Sequence, residues 1–103
     1  MRWYDVEPDV YMAISMIECS ELPKQIEYAK LIINNLREKD SNMDYIKNTT
    51  IKNLSQKYYK RWYDKNDTIS MAFEYLKNST RDIQIEVAKE VLSYINIQAT
   101  INT

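Results

Sequence analysis

The sequence predicts an all-α fold: two tandem helical hairpins joined by a connecting helix, a compact bundle of about five helices. Two observations carry this. The chain overlays on itself at an offset of 59 residues, and within each overlaid half the apolar residues recur at helical spacing.

At that offset Arg2 to Leu36 lies over Arg61 to Ile95 without a gap, and 12 of the 35 pairs are identical. Chance gives about two or three from ordinary residue usage. Both tryptophans fall in one repeated tetrapeptide, Arg2-Trp3-Tyr4-Asp5 and Arg61-Trp62-Tyr63-Asp64. The chain therefore reads as one helical domain, 1–103. Repeat unit one spans 2–36, a connector 37–60, repeat unit two 61–95 and a tail 96–103. So long a connector favours pseudo-two-fold packing of the hairpins over solenoid stacking.

Each unit opens on its tetrapeptide. Trp3, Tyr4 and Asp5, with Trp62, Tyr63 and Asp64, are expected to be structural anchors. Tryptophan is usually a buried packing device, and Arg2/Asp5 and Arg61/Asp64 are spaced for local ion pairs or caps. The competing reading is a pair of binding patches, since Trp, Tyr and Arg dominate binding hot spots.

The first helix of each unit should start near Glu7-Pro8-Asp9 and Asn66-Asp67-Thr68. Proline is tolerated in a first helical turn. Val10, Ala13, Ile14 and Ile17 are spaced i, i+3, i+4, i+7, and Ile69, Ala72, Phe73 and Leu76 repeat that stripe. Ser20 and Ser79 are candidate N-caps for the second helices, and Asp82 stands where a capping box places its acid. The second helices carry Ile26, Ala29, Ile33 and Leu36, then Ile85, Ala88, Leu92 and Ile95. The alanines at their centres suit close approach of the two helices of one hairpin. Met12, Met16 and Met71 read as core filler.

Arg37 to Asn42 reads as a polar loop. Beyond it Ile46, Ile51, Leu54, Tyr58 and Trp62 suggest the connecting helix. Charge is uneven. Residues 1–36 carry 3 basic and 6 acidic groups, residues 37–60 carry 6 and 3, and residues 61–103 carry 5 and 6. A basic connector thus joins two acidic units. Its end, Lys57-Tyr58-Tyr59-Lys60-Arg61, interleaves cations with aromatics as single-strand binders do. Lys57, Tyr59, Lys60 and Arg61 form the candidate interaction surface, with the lysines and Arg61 on the solvated side of a helix. Against nucleic acid stands a net charge of −1 and a pI near 5.4; such domains usually carry a clear basic footprint.

Two residue types are missing altogether: the chain contains no histidine and no glycine. The first removes the commonest general base and metal ligand. The second removes phosphate-cradling loops and nucleophile elbows, and leaves asparagine for positive-φ positions at helix ends. Cys19, the single cysteine, forms no internal disulfide and suits a reducing compartment. Glu27 and Glu86 share one repeat position and would meet as an acidic pair under pseudo-two-fold packing. The plainer expectation is two exposed glutamates beside Lys30 and Lys89.

No catalytic, cofactor-binding or metal-binding residue is therefore assigned, and no cofactor. There is no apolar run of membrane-spanning length, and the N-terminal residues lack an apolar signal core. A cytoplasmic location is expected, and the excess of Asn, Ile, Lys and Tyr suits an AT-rich bacterial genome. The leading functional expectation is a non-enzymatic protein–protein interaction or regulatory module that binds a protein partner or itself. A nucleic-acid-binding regulator using the basic connector ranks second, and a carboxylate metal-binding protein third. A functional surface is expected where the copies differ: Tyr11 against Ser70, Leu22-Pro23 against Arg81-Asp82, and the unrepeated connector.

Overall fold

Pro8 opens the first helix, α1 (Pro8–Glu18), at the position where its missing N–H costs no hydrogen bond. The computed structural model describes residues 2–39 and 61–101, and α1 is followed by α2 (Leu22–Lys39), α3 (Asp67–Lys77) and α4 (Arg81–Ile101). A single 3₁₀ turn precedes α1 (Trp3–Asp5) and another precedes α3 (Trp62–Lys65). The described residues are all-helical, with no strand. The connecting helix, and with it Lys57, Tyr59 and Lys60, lies outside the described residues. Arg61 is extended (φ −103, ψ 154), so Trp62 begins its own turn and does not continue a connector helix.

The bounds of the second half follow those of the first at the 59-residue offset. Both first helices have 11 residues. Their stripes are buried as the spacing predicts: Val10, Ala13, Ile14 and Ile17, then Ile69, Ala72, Phe73 and Leu76. Asn66 caps α3 through its side-chain oxygen, which accepts from the Thr68 and Ile69 amides at 2.9 and 3.1 Å. Such a cap contributes about 1 kcal/mol. Glu7, the equivalent residue, makes no side-chain cap, and there Pro8 presets the first turn instead.

The turns between helices differ from expectation. Ser20 and Ser79 do not cap the second helices. Their hydroxyls donate back to the Met16 and Tyr75 carbonyls at 2.8 and 2.9 Å, closing off the first helices. At the start of α4 it is Thr80 Oγ1 that accepts from the Ile83 amide, at 3.4 Å. No described residue has positive φ. Cys19 and Asn78 end α1 and α3 in the right-handed region, so no described asparagine takes a left-handed role.

The Ile17 and Leu76 carbonyls accept from the Ser20 and Ser79 amides at 3.0 and 3.1 Å, and a glutamine from the next helix adds a second donor at each helix end. Gln25 Nε2 donates to the Ile17 and Glu18 carbonyls at 3.0 and 3.2 Å. Gln84 Nε2 donates to those of Leu76 and Lys77 at 3.0 and 3.3 Å. Both glutamines are buried. This turns the second helices about one residue from the expected stripe. Tyr28, Ala29, Ile32 and Leu36 are the buried apolar residues of α2, and Val87, Ala88 and Val91 those of α4. Ile26, Ile33, Ile85, Leu92 and Ile95 pack at the margin.

The hairpins interlock. α2 packs most extensively against α3, and α1 against α4, while α1 and α2 of one hairpin touch less. Ala29 and Ala88 are buried on helices whose packing lies mostly or partly against the other half. One apolar cluster runs through both halves, from Tyr4 to Val91. The Cα radius of gyration is 13.1 Å, close to the roughly 13 Å of a compact chain of this size. Arg37 to Lys39, expected in a loop, extend α2, where Arg37 and Lys39 suit the negative end of the helix dipole. The tail continues α4 as far as Ile101. Met12 is exposed, and Met16 and Met71 are half-buried, so Met12 is not core filler.

Candidate functional site

The two tetrapeptides fold alike and meet. In each, the arginine is extended and a 3₁₀ turn follows, of three residues after Arg2 and four after Arg61. That turn carries the aspartate back over the arginine. Asp5 accepts from Arg2 N, Nε and Nη2, each at 3.1 Å. Asp64 accepts from Arg61 N, Nε and Nη2 at 3.1, 2.9 and 3.0 Å. The fork-to-fork geometry fixes each guanidinium, which also lies over its own tyrosine ring, 4.7 Å from the Tyr4 centroid and 4.5 Å from that of Tyr63.

The tryptophans then cross over. Trp3 Nε1 donates to Tyr63 Oη at 3.3 Å, and Trp62 Nε1 donates to Tyr4 Oη at 3.3 Å. Tyr4 and Tyr63 are buried, and the two tryptophans half-buried. Each indole thus meets the polar end of a tyrosine from the other half. All six expected anchors are in this arrangement.

Between the tetrapeptides lies a cleft of about 330 Å³, lined by Arg2, Trp3, Tyr4, Arg61, Trp62, Tyr63 and Lys77. Of these described residues, six pair off at the 59-residue offset. Lys77 is the seventh, and Glu18 stands 59 residues before it. A larger groove of about 520 Å³ runs along the outer end of α4, past Leu92, Ile97 and Ile101. Among the described residues a single helix face forms it and no buried polar group lines it, so the tetrapeptide cleft is the better built of the two.

The halves of the cleft differ in what lies behind them. Ser70 Oγ donates to Asp64 Oδ1 at 3.0 Å. Arg61 Nη2 pairs with Glu74 Oε1 at 2.6 Å. Unit one has Tyr11 and Ser15 in those places. Asp64 and Glu74 side chains are 5% exposed, whereas Arg2 is 50% exposed. Phe73, standing where unit one has Ile14, adds edge-to-face contacts to Trp62 and Tyr63 at 5.4 and 4.7 Å.

Electrostatics follow the bonding. Hydrogen bonds from Arg2 hold the Asp5 carboxyl below its ordinary value. Burial pushes Asp64 upward, but the Arg61 side chain and amide and the Ser70 hydroxyl outweigh it, and the net shift is down. Burial opposes the charge on Arg61, yet Asp64 and Glu74 raise it further above its ordinary value. Burial also raises the Tyr63 phenol, against a lowering by the Trp3 N–H.

Of the candidate interaction surface only Arg61 is described. It turns inward onto carboxylates instead of standing on a solvated helix face. Glu27 accepts from Tyr94 Oη at 2.7 Å and pairs with Lys24 at 3.6 Å, and Glu86 is exposed. Among the described residues no group of three or more His, Cys, Asp or Glu is placed to hold a metal ion. Cys19 is an exposed free thiol. No described helix is long and apolar enough to cross a membrane.

Lys77 and Glu74 were not singled out in the sequence. Their signal was the mismatch with Glu18 and Ser15 at otherwise similar repeat positions, the same kind of difference that marks Ser70 against Tyr11.

Among known proteins, no family model matches the chain, and no curated protein or solved structure matches it.

Proposed function

We propose that the chain is a duplicated helical hairpin whose copies pack about a pseudo-two-fold axis, and that it works by binding another protein at the cleft on that axis. The observation that carries this reading is the cleft itself. Two tryptophans, two tyrosines and two arginines converge there, and these residue types supply most of the energy in protein interfaces. The exchange of Trp3–Tyr63 and Trp62–Tyr4 hydrogen bonds supports the two-fold relation.

The module acts by recognition and not by catalysis. Each arginine of the cleft is held by its own aspartate, which suits a rigid surface better than a reacting group. A rigid surface loses little conformational entropy on binding. The lone exposed thiol suits the reducing cytoplasm.

Affinity capture from the native cells, with the tagged full chain and its Lys77→Glu variant side by side, tests this. A stoichiometric protein retained by the parent chain and lost by the variant is the expected result. Recovery of nucleic acid alone, or of no protein in stoichiometric amount, contradicts it.

A further inference from the structure

We infer that the cleft takes an acidic protein segment, one that inserts a large apolar side chain between the two tetrapeptides and sets a neighbouring carboxylate on Lys77. This deepens the protein-binding reading above and rests on it.

Charge is the first argument. Three cations among the described residues line the cleft, but they are not equivalent. Arg2 is neutralised by Asp5, and Arg61 by Asp64 and Glu74. Among the described lining residues only Lys77 has no carboxylate partner. Its ammonium is exposed at the last turn of α3. The bonded carboxylates lie behind the guanidinium groups and outside the lining. An occupant therefore meets cationic and aromatic surface, with one ammonium free to form a new ion pair.

Among the described residues, size and number favour a protein segment over a nucleic-acid strand. A backbone-tracking site needs several unpaired cations, because each neutralised phosphate contributes to affinity. One unpaired lysine matches a single carboxylate. The volume of about 330 Å³ lies at the low end of ligand cavities, roughly 300–1,000 Å³, and suits one large side chain with its neighbour.

Symmetry is the second argument. The rest of the lining is common to both halves, so it cannot distinguish the two directions in which a segment might lie. Lys77, standing opposite Glu18 in the repeat, removes that ambiguity. The carboxylate of the occupant then sets the direction of the bound segment.

The test is selection of a random displayed peptide library on the full chain. Trp3 and Trp62, the only tryptophans, both line the cleft, so tryptophan-free peptides report their binding there through the emission of the chain. Expected are peptides that join a large apolar residue to a nearby Asp or Glu and shift that emission. Lys77→Glu should weaken them by about three- to tenfold, the loss of one half-exposed ion pair plus a like-charge contact. Lys30→Glu, on the exposed face of α2, should leave them unchanged. Emission-shifting peptides that are neutral or basic overturn the acidic assignment and leave the protein-binding reading standing. Recovery of no emission-shifting peptide overturns the assignment as well. If a short oligothymidylate shifts the emission where acidic peptides do not, both readings fall.

Discussion

Glu74 reaches Arg61 Nη2 at 2.6 Å from inside the second half of the molecule, and among the described residues no second carboxylate pairs with Arg2. The same tetrapeptide is thereby built twice with different backing. A buried carboxylate is costly unless hydrogen-bonded and paired, so the second copy depends on its full set of partners. Glu74→Ala should destabilise the chain by about 2 kcal/mol, the scale of a hydrogen bond to a charged group. Ser15→Ala, at the equivalent place, should change stability by less than about 0.5 kcal/mol. Urea unfolding of the two variants decides this.

Gln84 is the clearest case of a polar residue with a structural task. Its amide meets the last carbonyls of α3, a task that glycine at a left-handed C-cap commonly performs. Gln84→Met keeps length and removes the donor. It should cost about 1 kcal/mol, because Leu76 O keeps the Ser79 amide at 3.1 Å while the Lys77 carbonyl loses the glutamine donor. Gln25→Met should behave alike. A neutral result in thermal unfolding for both would show that water satisfies those carbonyls.

Periodicity made the first helices legible, since Val10 to Ile17 and Ile69 to Leu76 obey one spacing and all lie inside. It misjudged the second helices for a physical reason. The buried side of α2 and α4 is led by Gln25 and Gln84, and an apolar pattern passes over glutamine. The identity of that glutamine in both copies was the available sign. The cleft was half legible. Its aromatic and arginine residues stood out by repetition, but Lys77, Glu74 and Ser70 belong to it through differences between the copies, which repetition cannot reveal. The way in which the hairpins interlock was not legible, because one helix face reads the same whether its partner is in its own unit or the other.

Stability should fall at both ends of the pH scale for identifiable reasons. Asp64 is held below its ordinary value of 3.8. Its contribution is therefore complete above that pH and lost as pH falls through the lower folded value. Tyr63 and Tyr75 are raised above 10.0, chiefly by burial. Their contribution is complete below about pH 10 and lost as pH rises through the folded values. Urea midpoints should be steady between those limits as far as these groups are concerned. Asp64→Asn should lower the plateau and flatten its acid edge. Tyrosinate absorbance should show Tyr63, Tyr75 and Tyr94, the last raised by its bond to Glu27, ionising above the ordinary value of 10.0.

Interlocking has a consequence for the isolated units. Each helix finds its main partner in the other half, so a lone hairpin leaves its apolar stripe uncovered. The 61–103 fragment should be a homodimer in sedimentation equilibrium, with one copy standing in for unit one. A folded monomer would show that each hairpin carries its own core.

The pairing of the two halves is tested most directly at the tryptophans. Nuclear magnetic resonance resolves the two indole N–H signals, and their solvent exchange reports the bonds they make. Tyr63→Phe should speed exchange at Trp3 and leave Trp62 protected, and Tyr4→Phe should do the reverse. If each substitution instead exposes the tryptophan beside it in the sequence, or neither indole responds, the halves do not meet through these residues and the cleft between them is not built as described.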